Sequence, residues 1–123
     1  MTRDEILKME AGREMDYLVE EHVFGAVRAE WLGNITFEYD DFTYINSHEV
    51  PPHSGNIASA WNVFEKIRGN FFSSQVMVWD HSNHYAVCLS PRRGHNEPDN
   101  DIVAYAPTAP LAICRAALIA VVS

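Results

Sequence analysis

Seven residues of this chain have the types and spacings that would hold an anionic, flat-faced ligand. Arg13 and Asp16 fall one helical turn apart, on one face. Ser54, Gly55 and Asn56 precede an apolar run of helical period, so they mark a helix start whose free N–H groups suit an anion. Trp61 follows on that helix and offers a stacking surface. Arg92 and Arg93 sit in a Gly-containing loop and supply guanidinium clamps. Together, Arg13, Asp16, Ser54, Asn56, Trp61, Arg92 and Arg93 carry the chemistry of a nucleotide pocket. Each also has a plainer reading. Trp61 shares a face with Ile57, Ala60 and Phe64, which suits a core position. Arg13 with Asp16 equally suits a helix-stabilising pair.

Other chemistries find less support. His48 and His53 bracket one loop, and Asp80, His81 and His84 another, but neither has the helical His pair with an intervening Glu of hydrolytic zinc sites. The six histidines are expected on exposed loops, with no metal, and replacing His48 and His53 together should leave stability unchanged. Cys88 and Cys114 fit no zinc spacing; Cys114 has apolar neighbours except Arg115, which makes a thiol inert. There is no Gly-x-Ser-x-Gly elbow, phosphate-binding loop or dinucleotide fingerprint. No catalytic residue and no cofactor is expected. Arg115 is the one polar residue between Leu111 and Val122. It needs a partner, either an acid such as Asp16 or Glu20, or a carbonyl.

The elements that must position these groups are readable. Thr2 and Glu5 form a capping box. A second helix is predicted from Arg13 to Phe24, after Gly12 and before Gly25. Residues 26–45 are rich in strand formers, with a turn at Gly33-Asn34. A helix capped by Ser54 or Asn56 runs to about Arg68. Phe71–Trp79 and Tyr85–Leu89 read as a hairpin, and Ile102–Ala106 as a short strand. Thr108 then caps a final helix with Pro110 in its first turn. This helix has almost no polar face, and at twelve residues from Leu111 it is too short to span a bilayer; it is expected to be buried. The fold class is α+β: a mainly antiparallel sheet layered with helices, with the C-terminal helix buried, in a single domain over 1–123.

Seventeen acidic residues against nine Lys and Arg give a net charge of −8. That excludes generic binding to nucleic acid or an anionic membrane, which needs a basic face, and suits a basic protein partner. The apolar excess of the last helix and the aromatic residues between Trp31 and Tyr44 point to a homo-oligomer, most simply a dimer.

Three segments carry a resemblance. They are Met9–Val19 (MEAGREMDYLV) with Val23-Phe24-Gly25, then Ser54–Val63 (SGNIASAWNV), and Thr108–Leu118 (TAPLAICRAAL). Together they resemble the phage ABA sandwich domain family. The chain departs from that pattern at Phe24, where Met is frequent, and at His53–Asn56. The resemblance does not reach the hairpin with His81 and His84 or the loop from Pro91 to Asn100. It implies a layered αβ fold, a place in the host bacterial cytoplasm, and no assigned chemistry. The expected function is a non-enzymatic phage accessory protein active against host defence, sequestering a small nucleotide-type signal. The alternatives are an acidic inhibitor of a host defence protein such as a CRISPR nuclease, and a small metal-dependent hydrolase using the histidine loops.

Overall fold

The computed structural model describes the chain apart from residues 70, 72, 80–83, 91–100 and 123. Arg92, Arg93 and His81 therefore lie outside the described residues. The first helix, α1 (Arg3–Lys8), starts where the Thr2 hydroxyl accepts from the Glu5 N–H at 3.2 Å. Its partner α2 (Arg13–His22) buries Met15, Asp16, Val19 and Glu20, so two acids point inward beside two apolar residues. Gly25, with φ of 78°, lets the chain reverse after this helix, in a region that residues with a Cβ seldom occupy.

Three strands follow, β1 (Val27–Trp31), β2 (Asn34–Glu38) and β3 (Tyr44–Asn46), forming an antiparallel sheet in that order. The β1–β2 turn centres on Leu32 and Gly33, one residue earlier than the expected Gly33-Asn34. Both centres have positive φ, 50° and 81°, the type I′ geometry that matches strand twist. One turn of 3-10 helix (Ser47–Glu49) leads to α3 (Ile57–Arg68). Asn56 caps α3, its side chain accepting from the Ser59 N–H at 3.1 Å. The core stripe of α3 is Ala60, Val63, Phe64 and Ile67. Ile57 and Trp61 fall to its side and are exposed, Trp61 at 45%. The placing of Trp61 in the core is thus corrected: the i, i+3, i+4, i+7 stripe runs through Val63 instead.

The second sheet joins β4 (Ser73–Trp79), β5 (His84–Ser90) and β6 (Ile102–Ala106), again antiparallel and in order. The strands thus divide into two three-stranded sheets, and the fold is α+β. The last helix, α4 (Ala109–Val122), packs against β5 and β6 and against α1, α2 and α3. Leu111–Cys114 and Ala116–Ile119 are buried, Ala109, Pro110, Arg115 and Ala120 are half-buried, and Val121 is exposed. The main core forms around it, with Ile6, Met15, Val63, Phe64, Val87, Leu89 and Ala104 among its members. Arg115 is satisfied by carbonyls, not acids. It donates from Nε and Nη2 to Met9 O at 3.1 and 2.8 Å, and from Nη1 to Tyr105 O at 2.7 Å. It therefore pins the α1–α2 linker and the end of β6 to α4.

Candidate functional site: a buried polar bracket and an exposed sheet

The two inward acids of α2 hold the loop that precedes α3. Asp16 Oδ1 accepts from the Ser54 N–H at 2.8 Å and from Ser54 Oγ at 2.7 Å. Its Oδ2 accepts from Arg13 at 3.2 Å. Ser54 Oγ also accepts from the Gly12 N–H at 2.9 Å, closing the α2 start onto the loop. The Arg13 guanidinium donates further to Val50 O at 3.0 Å and to Ser47 O at 2.6 Å, and lies over the Tyr17 ring. One turn on, Glu20 Oε2 accepts from His53 Nε2 at 2.9 Å, and Oε1 accepts from the Tyr39 hydroxyl. An ionised carboxylate only accepts, so the imidazole carries its proton on Nε2. The His53 ring stacks on Phe24 with centroids 5.5 Å apart.

The electrostatics agree with a largely satisfied unit, in which His53 Nδ1 alone of the ring and carboxylate atoms named is buried without a hydrogen-bond partner among the described residues. Burial pushes the Glu20 carboxyl up, but the hydrogen bonds from His53 and Tyr39 and the attraction of the His53 ring outweigh it, so it sits below its ordinary value. Burial, then the bond to Glu20, push the Tyr39 phenol up. Burial also pushes the Cys114 thiol far up, with Asp16 adding to it, which leaves that thiol inert.

The structure thus brings Arg13, Asp16 and Ser54 together, but their polar groups face one another and the loop backbone. Asn56 is spent on capping α3, and Trp61 stands on the outer side of that helix, stacked on Phe64 at 5.0 Å. Sequence reasoning missed His53, Glu20 and Tyr39. The available signal was the spacing of Asp16 and Glu20, two acids four apart beside the apolar positions Met15 and Val19. The expectation that His53 is an exposed loop residue is corrected: it is 3% exposed and bonded, whereas His48 is exposed. Among the described residues no group of three or more His, Cys, Asp or Glu is placed to hold a metal.

The first sheet is the other feature of note. Its inner face carries Phe37, buried with Ala26 and Val50, against Tyr17, Ile35 and Ile45. Arg28 lies over the Tyr17 and Phe37 rings and pairs with Glu14 and Glu21. Burial lowers its affinity for the proton, but the two glutamates raise it more. The outer side exposes Val27, Trp31 and Tyr44, and both turns expose a large apolar residue. Trp31 is 74% exposed, and Leu32 and Phe42 are each 86% exposed. Leu32 and Phe42 also have positive φ, 50° and 66°. A side chain there costs about 1–2 kcal/mol that Gly or Asn would largely avoid. Beside Phe42, an open depression of about 480 Å³ is lined by Phe24, Tyr39, Asp40, Asp41 and Thr43.

Among the described residues no helix is long and apolar enough to cross a membrane. No curated protein and no solved structure matches the chain. The family model of the phage ABA sandwich domain matches residues 17–118, from within α2 to the buried part of α4, and the chain belongs to that family.

Proposed function

We propose that this chain is a non-enzymatic phage protein that binds a protein partner through its first sheet. The observation that carries this reading is the pair Leu32 and Phe42, two large apolar side chains almost fully exposed on unfavourable backbone. The two stand in the turns at opposite ends of β2, Leu32 next to exposed Trp31 and Phe42 near exposed Tyr44, and exposed apolar surface with a polar rim marks protein interaction. The rim here is acidic: Glu38 lies on the outer side of the sheet between Val27 and Tyr44, and Asp40 and Asp41 precede Phe42 in its turn. The fitting partner has an apolar recess for each tip, bordered by Lys and Arg, and the net charge of −8 steers such a partner in. Within a phage family, a basic host protein that handles nucleic acid, including a defence nuclease, is the class this surface suits. That last step rests on the family alone.

The test is affinity capture from a lysate of the host bacterium, with the wild-type chain and a Leu32→Asn, Phe42→Asn variant as baits. A protein held in stoichiometric amount by the wild type and lost by an equally stable variant supports the reading. Equal retention by both overturns it. A second reading, sequestration of an anionic nucleotide, is favoured by Trp61, which stands half-exposed as a stacking face. Arg13, Ser54 and Asn56 are already engaged within the chain, which is why it comes second. Mass spectrometry of small molecules released by heating the purified protein tests it, and a stoichiometric nucleotide would put it first.

A further inference from the structure

The geometry points to a two-fold dimer in which β1 of one copy pairs antiparallel with β1 of a second, making one six-stranded sheet. Among the described residues β1 pairs only with β2, so one side of it is open. The register fixes which groups that side presents. The two-residue turn makes Trp31 and Asn34 a hydrogen-bonded pair, and the ladder then alternates. Val27, Ala29 and Trp31 therefore spend their backbone groups on β2. Arg28 and Glu30 point their N–H and C=O groups to the open side.

Only three antiparallel registers can join Arg28 and Glu30 to the same two residues of a second copy. One sets Arg28 opposite Arg28, and another sets Glu30 opposite Glu30; each places like charges face to face, which destabilises a strand pair. The third has its axis at Ala29. It pairs Arg28 with Glu30 twice, with four backbone hydrogen bonds. In the same register Ala29 meets Ala29 at the close-approaching, non-bonded pair, where a small side chain fits. Trp31 meets Val27 at both ends, covering two exposed apolar residues. The segment Val-Arg-Ala-Glu-Trp is thus self-complementary in charge, size and hydrophobicity about its centre. Glu30 is exposed and forms no ion pair among the described residues, and in the dimer it would come to Arg28 as a third carboxylate beside Glu14 and Glu21.

A second copy is the occupant this pattern selects, because an unrelated strand would have no reason to match it in reverse. The edge of β1 is distinct from the two turn tips, so the dimer presents Leu32 and Phe42 twice and does not rest on the protein-binding reading.

Sedimentation velocity from about 5 to 200 μM tests the dimer on the full chain. The wild type should run at twice 13.9 kDa at the upper concentrations. Glu30→Pro removes one outward N–H and leaves the β2 ladder intact, since proline is tolerated on a strand edge. It should run at the monomer mass with unchanged circular dichroism. Glu30→Lys, which places a cation opposite Arg28, should weaken association at least tenfold and covers the case where the proline variant fails to fold. Leu32→Asn with Phe42→Asn should stay dimeric even where partner capture is lost, which separates the two proposals. A monomeric wild type at 200 μM, or a Glu30→Lys variant that dimerises as tightly as the wild type, overturns the dimer.

Discussion

Leu118 on α4 and Leu32 in the β1–β2 turn are the same side chain under opposite conditions. Leu118 is fully buried in regular helix; Leu32 is 86% exposed on left-handed backbone. The contrast extends to their surroundings. Around α4 the apolar residues of three other helices and the second sheet close into one cluster. On the first sheet only Phe37 is buried, with Ala26 and Val50 from the flanking chain, while Val27, Trp31, Phe42 and Tyr44 are exposed. Burying a leucine contributes about 1.5–3 kcal/mol to folding. The first sheet forgoes that at several positions and adds backbone strain at two. One region is organised for stability, and the other is held out on it. The polar bracket from Asp16 and Glu20 is the joint between them, since α2 faces both.

The largest expected effect lies in the stable region. Ile113→Asp or Leu118→Asp places an unpaired carboxylate in a fully buried site, and no folded protein should be recovered. Leu118→Ala should fold but lose about 2–5 kcal/mol in urea titration. Recovery of a cooperatively folding aspartate variant would show that α4 is not the centre of the core.

The joint should show intermediate effects. Asp16→Ala strands the buried Ser54 N–H and removes one of the partners of Arg13, which keeps Val50 O and Ser47 O, and should cost about 1–3 kcal/mol. His53→Ala removes a partner of buried Glu20 and the ring stacked on Phe24, for about 1–3 kcal/mol, whereas His48→Ala should change nothing measurable. Equal stability of the two histidine variants in urea would contradict the bracket.

Acid should loosen the joint in a defined direction. The folded Glu20 value lies below the unfolded 4.5. Its contribution is therefore complete well above 4.5 and disappears as pH falls through the folded value. Tyr39 behaves oppositely: its folded value is raised, so its contribution holds below 10.0 and fades as pH rises further. Urea midpoints of wild type and Glu20→Gln, taken across the acid range, should converge as pH falls. A constant gap would mean that Glu20 does not titrate with folding.

The smallest effect has an unusual sign. Leu32→Asn and Phe42→Asn suit the left-handed conformation better and lose little burial, so each should raise stability by about 0.5–1 kcal/mol. A loss of 1 kcal/mol or more, measured by thermal melting, would mean that these tips pack on something in the isolated chain.

The elements were legible in the sequence because each has a local cause. The Thr2 cap, the apolar period of α3 and the unbroken apolar run of α4 are written over a few neighbouring residues. The segment 102–106 reads as a strand from its β-branched and aromatic content, and is one. The turn lies at Leu32-Gly33, one residue before the Gly33-Asn34 the sequence suggests, because Leu is a poor choice for a left-handed position and local turn rules pass it over. The bracket was only half legible. The Arg13–Asp16 pair is local, but the contacts of Asp16 with Ser54 and of Glu20 with His53 span 38 and 33 residues. Such contacts follow from how the loop folds back, which no spacing encodes. For Arg115 the partner type was open, and carbonyls proved to be the answer.

On the reading proposed above, the first sheet is the recognition surface and the outer side of α3 is not. Carbene footprinting of the wild-type chain, in buffer and in host lysate, tests it residue by residue. Labelling at Leu32 and Phe42 should fall several-fold in lysate while Trp61 and Ile57 label as in buffer. Protection of Trp61 with Leu32 and Phe42 unchanged would contradict it, and would move the site to α3.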